Sequence, residues 1–317
     1  MLRKPAGPVR TGWAAAAKKL SEQGDDELVL ARSATRQMRS WCGDAGRDLV
    51  GPLDPTGDTD LTDLFAFFFK PLAPMTSKRK TKMSDQAVAT VSYYSDVLCL
   101  WAYVAQIRLD ELQREFGERV RVKYHFLPLF GNVGAHIDAG WSDKGGAPAY
   151  ARHVQQTAAR FDHVEVHPEI WTRNIPSTSA SCHLFFKAIE LSLESGEIPA
   201  LPQDRFGGKS VFEEVVWRCR LGFFRDLQDI GDRAHQEAIA TGLGLPLADI
   251  RRQIDSGAAY AALCADFDAK EKLHIEGSPT FILGEGRQKL YGNVGYRILE
   301  ANMHEVLADP SDRASWC

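Results

Sequence analysis

The chain has 317 residues, of which 44% are hydrophobic and 25% are charged, and its formal net charge is −4 at pH 7. These fractions are typical of a soluble protein with a real core, and the length suffices for one large domain or two ordinary ones. No run of about 18 uninterrupted apolar residues occurs, which argues against a transmembrane helix. The N-terminus lacks a clean apolar segment with a cleavage site, which argues against a secretory signal. We therefore expect a cytoplasmic protein with no membrane partner.

Residues 1–83 do not read like a domain. The stretch 43–60 is dense in Gly, Pro and Asp, which is typical of a loop. The basic run "SKRKTK" (77–82) has no interleaved aromatic residues and no neighbouring recognition helix. This pattern favours a solvated linker over a nucleic-acid site. We expect residues 1–83 to be a poorly structured extension that is dispensable for folding.

A β-α-β unit is predicted next. The segment "AVATVSYY" (87–94) combines β-branched and aromatic residues and is bounded by "SD", so it predicts a strand. "LCLWAYVAQIRLDELQREFG" (98–117) then places apolar residues at helical spacing and ends on a glycine. "RVRVKYHFLPL" (119–129) returns to strand alternation. The unit implies two parallel strands joined by a right-handed crossover.

The rest of the chain completes a recognisable order. Residues 139–273 read as helices separated by Gly, Pro and polar breaks. "SPTFILG" (278–284) and "RQKLYG" (287–292) predict a hairpin closed by "GEG", and an amphipathic helix follows. The order predicts an α/β protein with a thioredoxin fold (β-α-β, β-β-α) built from 84–138 and 274–317. Residues 139–273 form an inserted all-helical domain in this prediction.

Six cysteines are spread along the chain, and none forms a C-x-x-C motif. This spacing argues against a disulfide framework and a structural zinc site, and a small buried hydrophobe is the default role of each cysteine. Cys99 differs, because it lies where the first predicted strand turns into a helix. Free N–H groups and the helix dipole favour thiolate over thiol at that place. We predict that Cys99 titrates below an ordinary thiol and is the catalytic nucleophile.

Four segments in order resemble the DsbA-like thioredoxin proteins, a group that includes kappa-class glutathione transferases and hydroxychromene-carboxylate isomerases. The first, "YYSDVLCLWAY", is similar to that family's S-D-x-x-C-P-W-C-Y segment. The others are "GFFRDLQDIGD", "IEGSPTFIL" and "LYGNVGYRILEANM". The resemblance extends over the chain from about residue 87 to residue 309.

The resemblance implies a site around Cys99. It implies that Trp101 and Ala102 flank the bound thiol, that Pro279 follows a cis peptide bond, and that Ser278 presents its backbone to an extended peptide or to glutathione. The chain departs from the redox members of the family, because it has Leu100 where they have proline and Ala102 where they have the second cysteine. A single thiol needs another thiol to resolve a mixed disulfide.

Other candidate sites are weaker. Cys182 or Cys264 would be an internal resolving thiol, but buried packing is the better interpretation of both. "GGKS" (207–210) lacks the first glycine of a phosphate-binding loop and a preceding strand. The two histidines of "HVEVH" (163–167) do not share a helical face, and His183 is interpreted as a core or surface residue. We predict no metal site.

Three functions remain open from the sequence. The first is a DsbA-like thiol-disulfide oxidoreductase that uses Cys99 alone, with small thiols or protein disulfides as partners. The second is a glutathione-dependent transferase or isomerase, although those relatives typically carry serine at the position of Cys99. The third is a non-catalytic peptide-binding module. We expect no tightly bound cofactor, with glutathione or a similar thiol as co-substrate, and the sequence leaves a homodimer open.

Overall fold

The computed structural model describes residues 88–198 and 203–308, which form four β-strands and nine α-helices. The predicted N-terminal extension, residues 1–83, lies outside the described residues. The strands are β1 (Ala89–Ser95), β2 (Val120–Phe126), β3 (Thr280–Leu283) and β4 (Gln288–Tyr291). The helices are α1 (Leu100–Phe116), α2 (Val133–Trp141), α3 (Gly146–Ala158), α4 (Ala180–Glu194), α5 (Val211–Phe224), α6 (Arg233–Gly242), α7 (Leu247–Asp255), α8 (Ala258–Lys272) and α9 (Tyr296–Ala308).

The four strands form one mixed sheet in the order β2-β1-β3-β4. β1 runs parallel to β2 and antiparallel to β3, and β3 and β4 form the predicted hairpin. Because β1 and β3 are antiparallel, the carboxyl end of β1 lies beside the amino end of β3. Tyr94 accordingly pairs with Thr280. The segment after β1, which carries Cys99, therefore meets the segment before β3, which carries Ser278 and Pro279.

Both faces of the sheet are buried. Successive side chains of β1 point to opposite faces, and each face packs against its own hydrophobic cluster. Val91 and Tyr93 are fully buried in the main hydrophobic core, which continues into the helices between β2 and β3. Tyr94 points the other way and joins a small second cluster with Leu127 and Ile282. The sheet and the helical block therefore share one core rather than touching at their surfaces.

The chain between β2 and β3 is helical where it is regular, and no strand occurs in residues 127–198 or 203–279. Helix α2 spans the predicted boundary between residues 138 and 139. The segment 246–273 forms two helices rather than one continuous element, because Gly257 between them has a φ of 82°. That left-handed conformation suits glycine, and it redirects the chain before α8 begins.

The observed order β-α-β, helices, β-β-α confirms the predicted α/β class and thioredoxin fold with a helical insertion. Within the parts of the chain described above, no helix combines the length and the apolar character needed to cross a membrane.

Candidate active site

Cys99 lies immediately before α1, as the residue that caps the helix N-terminus. Its N–H donates to the carbonyl of Asp96 at 3.2 Å, and its own carbonyl accepts from Tyr103 at 3.1 Å, so the turn and the first helical turn are continuous. The Cys99 thiol donates a hydrogen bond to the Ser278 carbonyl, with 3.3 Å between Sγ and O. Two residues that are 179 positions apart in sequence are thus in direct contact.

The loop before β3 has the predicted backbone form. The Ser278–Pro279 peptide bond is cis, as the resemblance implies. The Ser278 hydroxyl accepts a hydrogen bond from the Asp96 N–H at 2.9 Å, and the Pro279 carbonyl accepts from Gly292 at 2.9 Å. The loop is therefore held on one side by the Cys99 turn and on the other by the residues that follow β4.

Trp101 and Ala102 have different environments although both lie in the first turn of α1. Trp101 is half-buried, its ring meets Phe161 edge-on at 6.0 Å, and the Arg160 guanidinium lies 5.9 Å from its centroid. Ala102 is fully buried, and its carbonyl accepts from the Tyr93 hydroxyl at 3.4 Å. Trp101 is therefore accessible to a ligand beside Cys99, whereas Ala102 forms the floor of the site.

The predicted direction of the Cys99 pKa is wrong. Burial raises the pKa of the Cys99 thiol above its ordinary value, because only 5% of the residue is exposed and a thiolate there loses its hydration. The Ser278 hydroxyl and the N–H groups of Ala102 and Trp101 lower the pKa, as the helix-terminus argument requires, but burial outweighs them. The Cys99 thiol is therefore a hydrogen-bond donor to Ser278 rather than a thiolate.

Asp96 is a site residue that the sequence reasoning missed. Its carboxylate is fully buried and accepts three hydrogen bonds, from the Leu98 N–H at 2.8 Å, the Phe130 N–H at 2.8 Å and the Ser179 hydroxyl at 2.7 Å. Burial raises the pKa of Asp96 to about 6 in spite of these bonds. The "SD" pair was interpreted only as the end of a strand, and a carboxylate three residues before Cys99 was the available signal.

His183 also belongs to this region. It is fully buried in α4, and its Nε2 accepts a hydrogen bond from the Val97 N–H at 3.2 Å and lies 3.8 Å from Asp96 Oδ1. Burial lowers the pKa of His183 to about 3, so the ring is neutral at physiological pH. Of the core and surface positions that the sequence left open for His183, the structure shows the core, and the ring also supports the turn that leads to Cys99.

Three aromatic side chains of the region after β2 pack against one another. Tyr150 of α3 lies 5.2 Å from Trp171 between ring centroids, and Trp171 lies 5.3 Å from Phe130. Burial raises the pKa of Tyr150, and the charges of Cys99 and Asp96 raise it further. Cys99 itself is 5% exposed, so it lies in an enclosed site rather than on an open surface.

The two cysteines considered as resolving thiols have other surroundings. Cys182 is fully buried in α4, and its thiol is hydrogen-bonded to that of Cys219 in α5. Cys264 of α8 is partly exposed. The hydrogen-bond partner of the Cys99 sulfur is instead a backbone carbonyl, so an external thiol remains the simpler resolving group.

Two further features lie at the opposite end of α1, roughly 24 Å along the helix from Cys99. Ligand atoms of Glu115, Glu300 and His304 lie within 4.8 Å of one another at the contact of α1 with α9. Groups of this kind are common on exposed surfaces without an ion, so we assign no metal to it. A cavity of about 630 Å³ also opens there, and its lining includes Val88, Gln113, Gly117 and Arg119. None of the predicted site residues lines that cavity.

Comparisons with known proteins agree with this fold. No protein-family model matches the sequence, and no curated protein matches it. A candidate protein disulfide isomerase from Nitrosomonas europaea is similar in structure, with a TM-score of 0.54 at 13% identity over 70% of this chain and 98% of that protein. A candidate DsbA oxidoreductase from Streptomyces coelicolor has a TM-score of 0.51 at 18% identity over 72% of this chain and 93% of that protein. The fold is therefore that of the DsbA-like thioredoxin proteins.

Proposed function

We propose that the protein is a cytoplasmic thiol-disulfide oxidoreductase that acts through Cys99 alone and uses glutathione or a similar small thiol as co-substrate. The observation that carries the proposal is the contact of the Cys99 sulfur with the Ser278 carbonyl, directly before the cis Ser278–Pro279 bond. A nucleophilic sulfur beside an extended backbone edge suits attack on a disulfide held against that edge.

The reaction has two balanced steps. In the first, Cys99 loses its proton and its sulfur attacks one sulfur of a substrate disulfide, so that a mixed disulfide forms and the other substrate sulfur leaves as a thiolate that takes up the proton. In the second, the thiolate of a small thiol attacks the Cys99-bound substrate sulfur, and the Cys99 thiolate leaves and is protonated. A substrate disulfide and one small thiol become a new mixed disulfide and a free substrate thiol.

The small thiol is required because alanine occupies position 102, where no sulfur is available to resolve the first intermediate internally. The surface around Trp101 is suited to bind an anionic thiol such as glutathione. Arg160 is exposed, and its guanidinium lies over the Trp101 ring. We propose that this cation binds a glutathione carboxylate, because guanidinium pairs with carboxylate in a planar geometry.

The protonated state of Cys99 favours a second candidate function. A buried thiol with a raised pKa that donates to a carbonyl can also donate to the sulfur of a bound glutathione without attacking a substrate. In that case the protein is a glutathione-dependent transferase or isomerase, and Cys99 stabilises the glutathione thiolate. A serine hydroxyl is able to perform the same task.

The substitution Cys99→Ser separates the two functions. For the oxidoreductase, incubation with glutathione disulfide gives one glutathione adduct at Cys99, and Cys99→Ser abolishes both this adduct and glutathione-dependent reduction of a model disulfide. Cys264→Ser, which removes a partly exposed cysteine, is the matched control and retains both properties. Localisation of the adduct to another peptide, or full disulfide turnover in Cys99→Ser, contradicts the proposal. Retention of glutathione binding in Cys99→Ser without disulfide turnover in either protein supports the second candidate.

The substitution Ala102→Cys tests whether the scaffold is that of a dithiol enzyme. Positions 99 and 102 are one helical turn apart and on the same face, within the Cα separation that a disulfide tolerates. We expect the variant to form an internal disulfide with Cys99 and to reduce or oxidise protein disulfides without added glutathione, which the wild type requires. If peptide mass spectrometry of the variant under oxidising conditions detects no disulfide between positions 99 and 102, the proposed geometry is contradicted.

A further inference from the structure

Asp96 forms hydrogen bonds to several of the segments that surround the Cys99 sulfur. Its backbone carbonyl accepts from the Cys99 N–H at 3.2 Å, and its backbone N–H donates to the Ser278 hydroxyl at 2.9 Å. Its carboxylate binds the turn through Leu98, the segment after β2 through Phe130, and the residue before α4 through Ser179. Through its backbone and its carboxylate, this one buried residue thus joins the Cys99 turn, the cis-proline loop and the helical insertion.

The carboxylate has an unusual set of partners. All three of its hydrogen bonds come from neutral donors, and His183, at 3.8 Å, is a neutral ring whose Nε2 already accepts from Val97. The Arg220 guanidinium lowers the pKa of Asp96 through its charge, but its hydrogen bonds go to Gln106 and Ser95. Among the described residues, the negative charge of Asp96 therefore has no close cation, and it lies three residues before Cys99.

We infer that Asp96 is the positioning residue of Cys99, which holds the sulfur against the Ser278–Pro279 loop and, by its negative charge, keeps it in the thiol form. A like charge nearby disfavours a thiolate, and the effect is strong where water is excluded. The charge of Asp96 does raise the pKa of Cys99, in addition to burial. The consequence for catalysis rests on the proposed function, but the inference itself concerns only the state of the sulfur.

The other titratable groups near this pair do not change charge in the same range. Burial lowers the pKa of His183 to about 3, and it raises the pKa of Tyr93 to about 12 and that of Tyr150 above its ordinary value. Burial also raises the pKa of Cys182 well above that of an ordinary thiol. The protonation of Asp96, near pH 6, is thus the event that alters the field at the sulfur.

The test is the rate of Cys99 alkylation by iodoacetamide between pH 5 and 9, measured on the Cys99 peptide by mass spectrometry. In the wild type, the logarithm of the rate rises by one per pH unit except near pH 6, where ionisation of Asp96 makes the rise shallower because the two sites are coupled. In Asp96→Asn this inflection disappears, and alkylation at pH 7 becomes at least about tenfold faster, as expected when a neighbouring like charge is removed.

Ser179→Ala is the matched control at pH 9, because it removes one hydrogen bond to the same carboxylate, which stays ionised at that pH even after the loss of a donor raises its pKa. At that pH its alkylation rate should stay within about twofold of the wild type, whereas Asp96→Asn should be faster, since only Asp96→Asn removes the charge. If Cys99 is alkylated as fast in Ser179→Ala as in Asp96→Asn, loosened packing explains the effect and the inference is overturned. If Cys99 is alkylated no faster in Asp96→Asn than in the wild type, the inference is also overturned. If Asp96→Asn does not fold, the wild-type profile decides, because a straight line through pH 6 also contradicts the inference. Failure of disulfide turnover with these profiles intact refutes the proposed function alone.

Discussion

Two aspartates are buried in the helical insertion and the site beside it, and their partners differ. Asp266 of α8 binds His125 Nδ1 at 2.7 Å and Lys187 Nζ at 2.9 Å, and it also accepts from the Phe126 N–H at 2.9 Å. Asp96 accepts only from two backbone N–H groups and one hydroxyl. One carboxylate therefore has a close cation, and the other has none.

This difference sets opposite pKa shifts at similar burial. Burial raises the pKa of Asp266, but the hydrogen bond from His125 and the charge of Lys187 outweigh it, so the pKa is lowered. For Asp96, burial wins and the pKa rises to about 6. Asp266 is a structural junction between β2 and helices α4 and α8, whereas Asp96 lies three residues before Cys99 and has no close cation in the described part of the chain. The partners of Asp266 therefore stabilise its ionised form, whereas Asp96 gains or loses its charge near pH 6.

The largest effect is expected for Lys187→Met, which breaks the junction. Lys187 is 3% exposed and also binds Glu190 at 2.7 Å and the Tyr124 carbonyl at 3.4 Å. Its loss leaves the Asp266 carboxylate buried without its main cation. Removal of one partner of a buried ion pair typically costs about 3–5 kcal/mol. Urea denaturation at pH 7 measures this loss in the free energy of unfolding.

Arg173→Met is the matched control for that prediction. Arg173 and Glu169 form an ion pair at 2.9 Å on the surface, with side chains 62% and 45% exposed. Such pairs contribute about 0–1 kcal/mol, so the control should lose little stability. Equal losses in the two variants would show that the junction is no more than a surface contact.

The second prediction concerns Asp96→Asn and the dependence of stability on pH. The folded-state pKa of Asp96 is about 6 and its ordinary value is 3.8, so the folded protein binds more protons in this window and loses stability as pH rises through it. At about 1.4 kcal/mol per pKa unit, the loss is about 3 kcal/mol. Asparagine does not titrate, so the variant should gain about that amount relative to the wild type between pH 4 and 6.5.

Asp266→Asn should show no such gain over the same range. The pKa of Asp266 is lowered, so this group is ionised in the folded state throughout the window, and its contribution is lost only at lower pH. Chemical denaturation at several pH values for the three proteins makes the comparison. Parallel pH profiles of wild type and Asp96→Asn would show that Asp96 has an ordinary pKa in the folded protein.

The elements of the fold could be predicted from the sequence because their signals are local. The alternation of β1 and β2, the periodicity of α1 and the "GEG" turn each lie within about 20 residues, and the resemblance supplied the meeting of Cys99 with Ser278. The junction at Asp266 was not predictable in this way, because His125, Lys187 and Asp266 are far apart in the chain and each reads as an ordinary polar residue.

The error at Cys99 has the same origin. The helix-terminus argument has the right sign, since the N–H groups of Trp101 and Ala102 do lower the pKa of Cys99. Local sequence contains no sign of the burial that outweighs them. That burial includes contact with Ser278, which is 179 positions away in the sequence, so it depends on how distant parts of the chain pack. A pKa depends on the whole environment, so the sequence predicted the position of Cys99 at the start of α1 better than its protonation state.

The smallest effect is expected for two serines at α4. Ser179, directly before the helix, donates its hydroxyl to Asp96 at 2.7 Å, whereas the hydroxyl of Ser192, inside the helix, is buried without a hydrogen-bond partner among the described residues. Ser179→Ala should cost about 1–2 kcal/mol, since it removes a hydrogen bond to a charged group, and it should move the stability window of Asp96 to higher pH because the carboxylate loses a donor. Ser192→Ala removes an unsatisfied hydroxyl and should be neutral or slightly stabilising.

Thermal and urea unfolding of both variants at pH 5 and 8 measure these changes. A Ser179→Ala variant that matches Ser192→Ala at both pH values would mean that Asp96 does not depend on its neutral donors, and the contrast with Asp266 would then reduce to the presence of Lys187 alone.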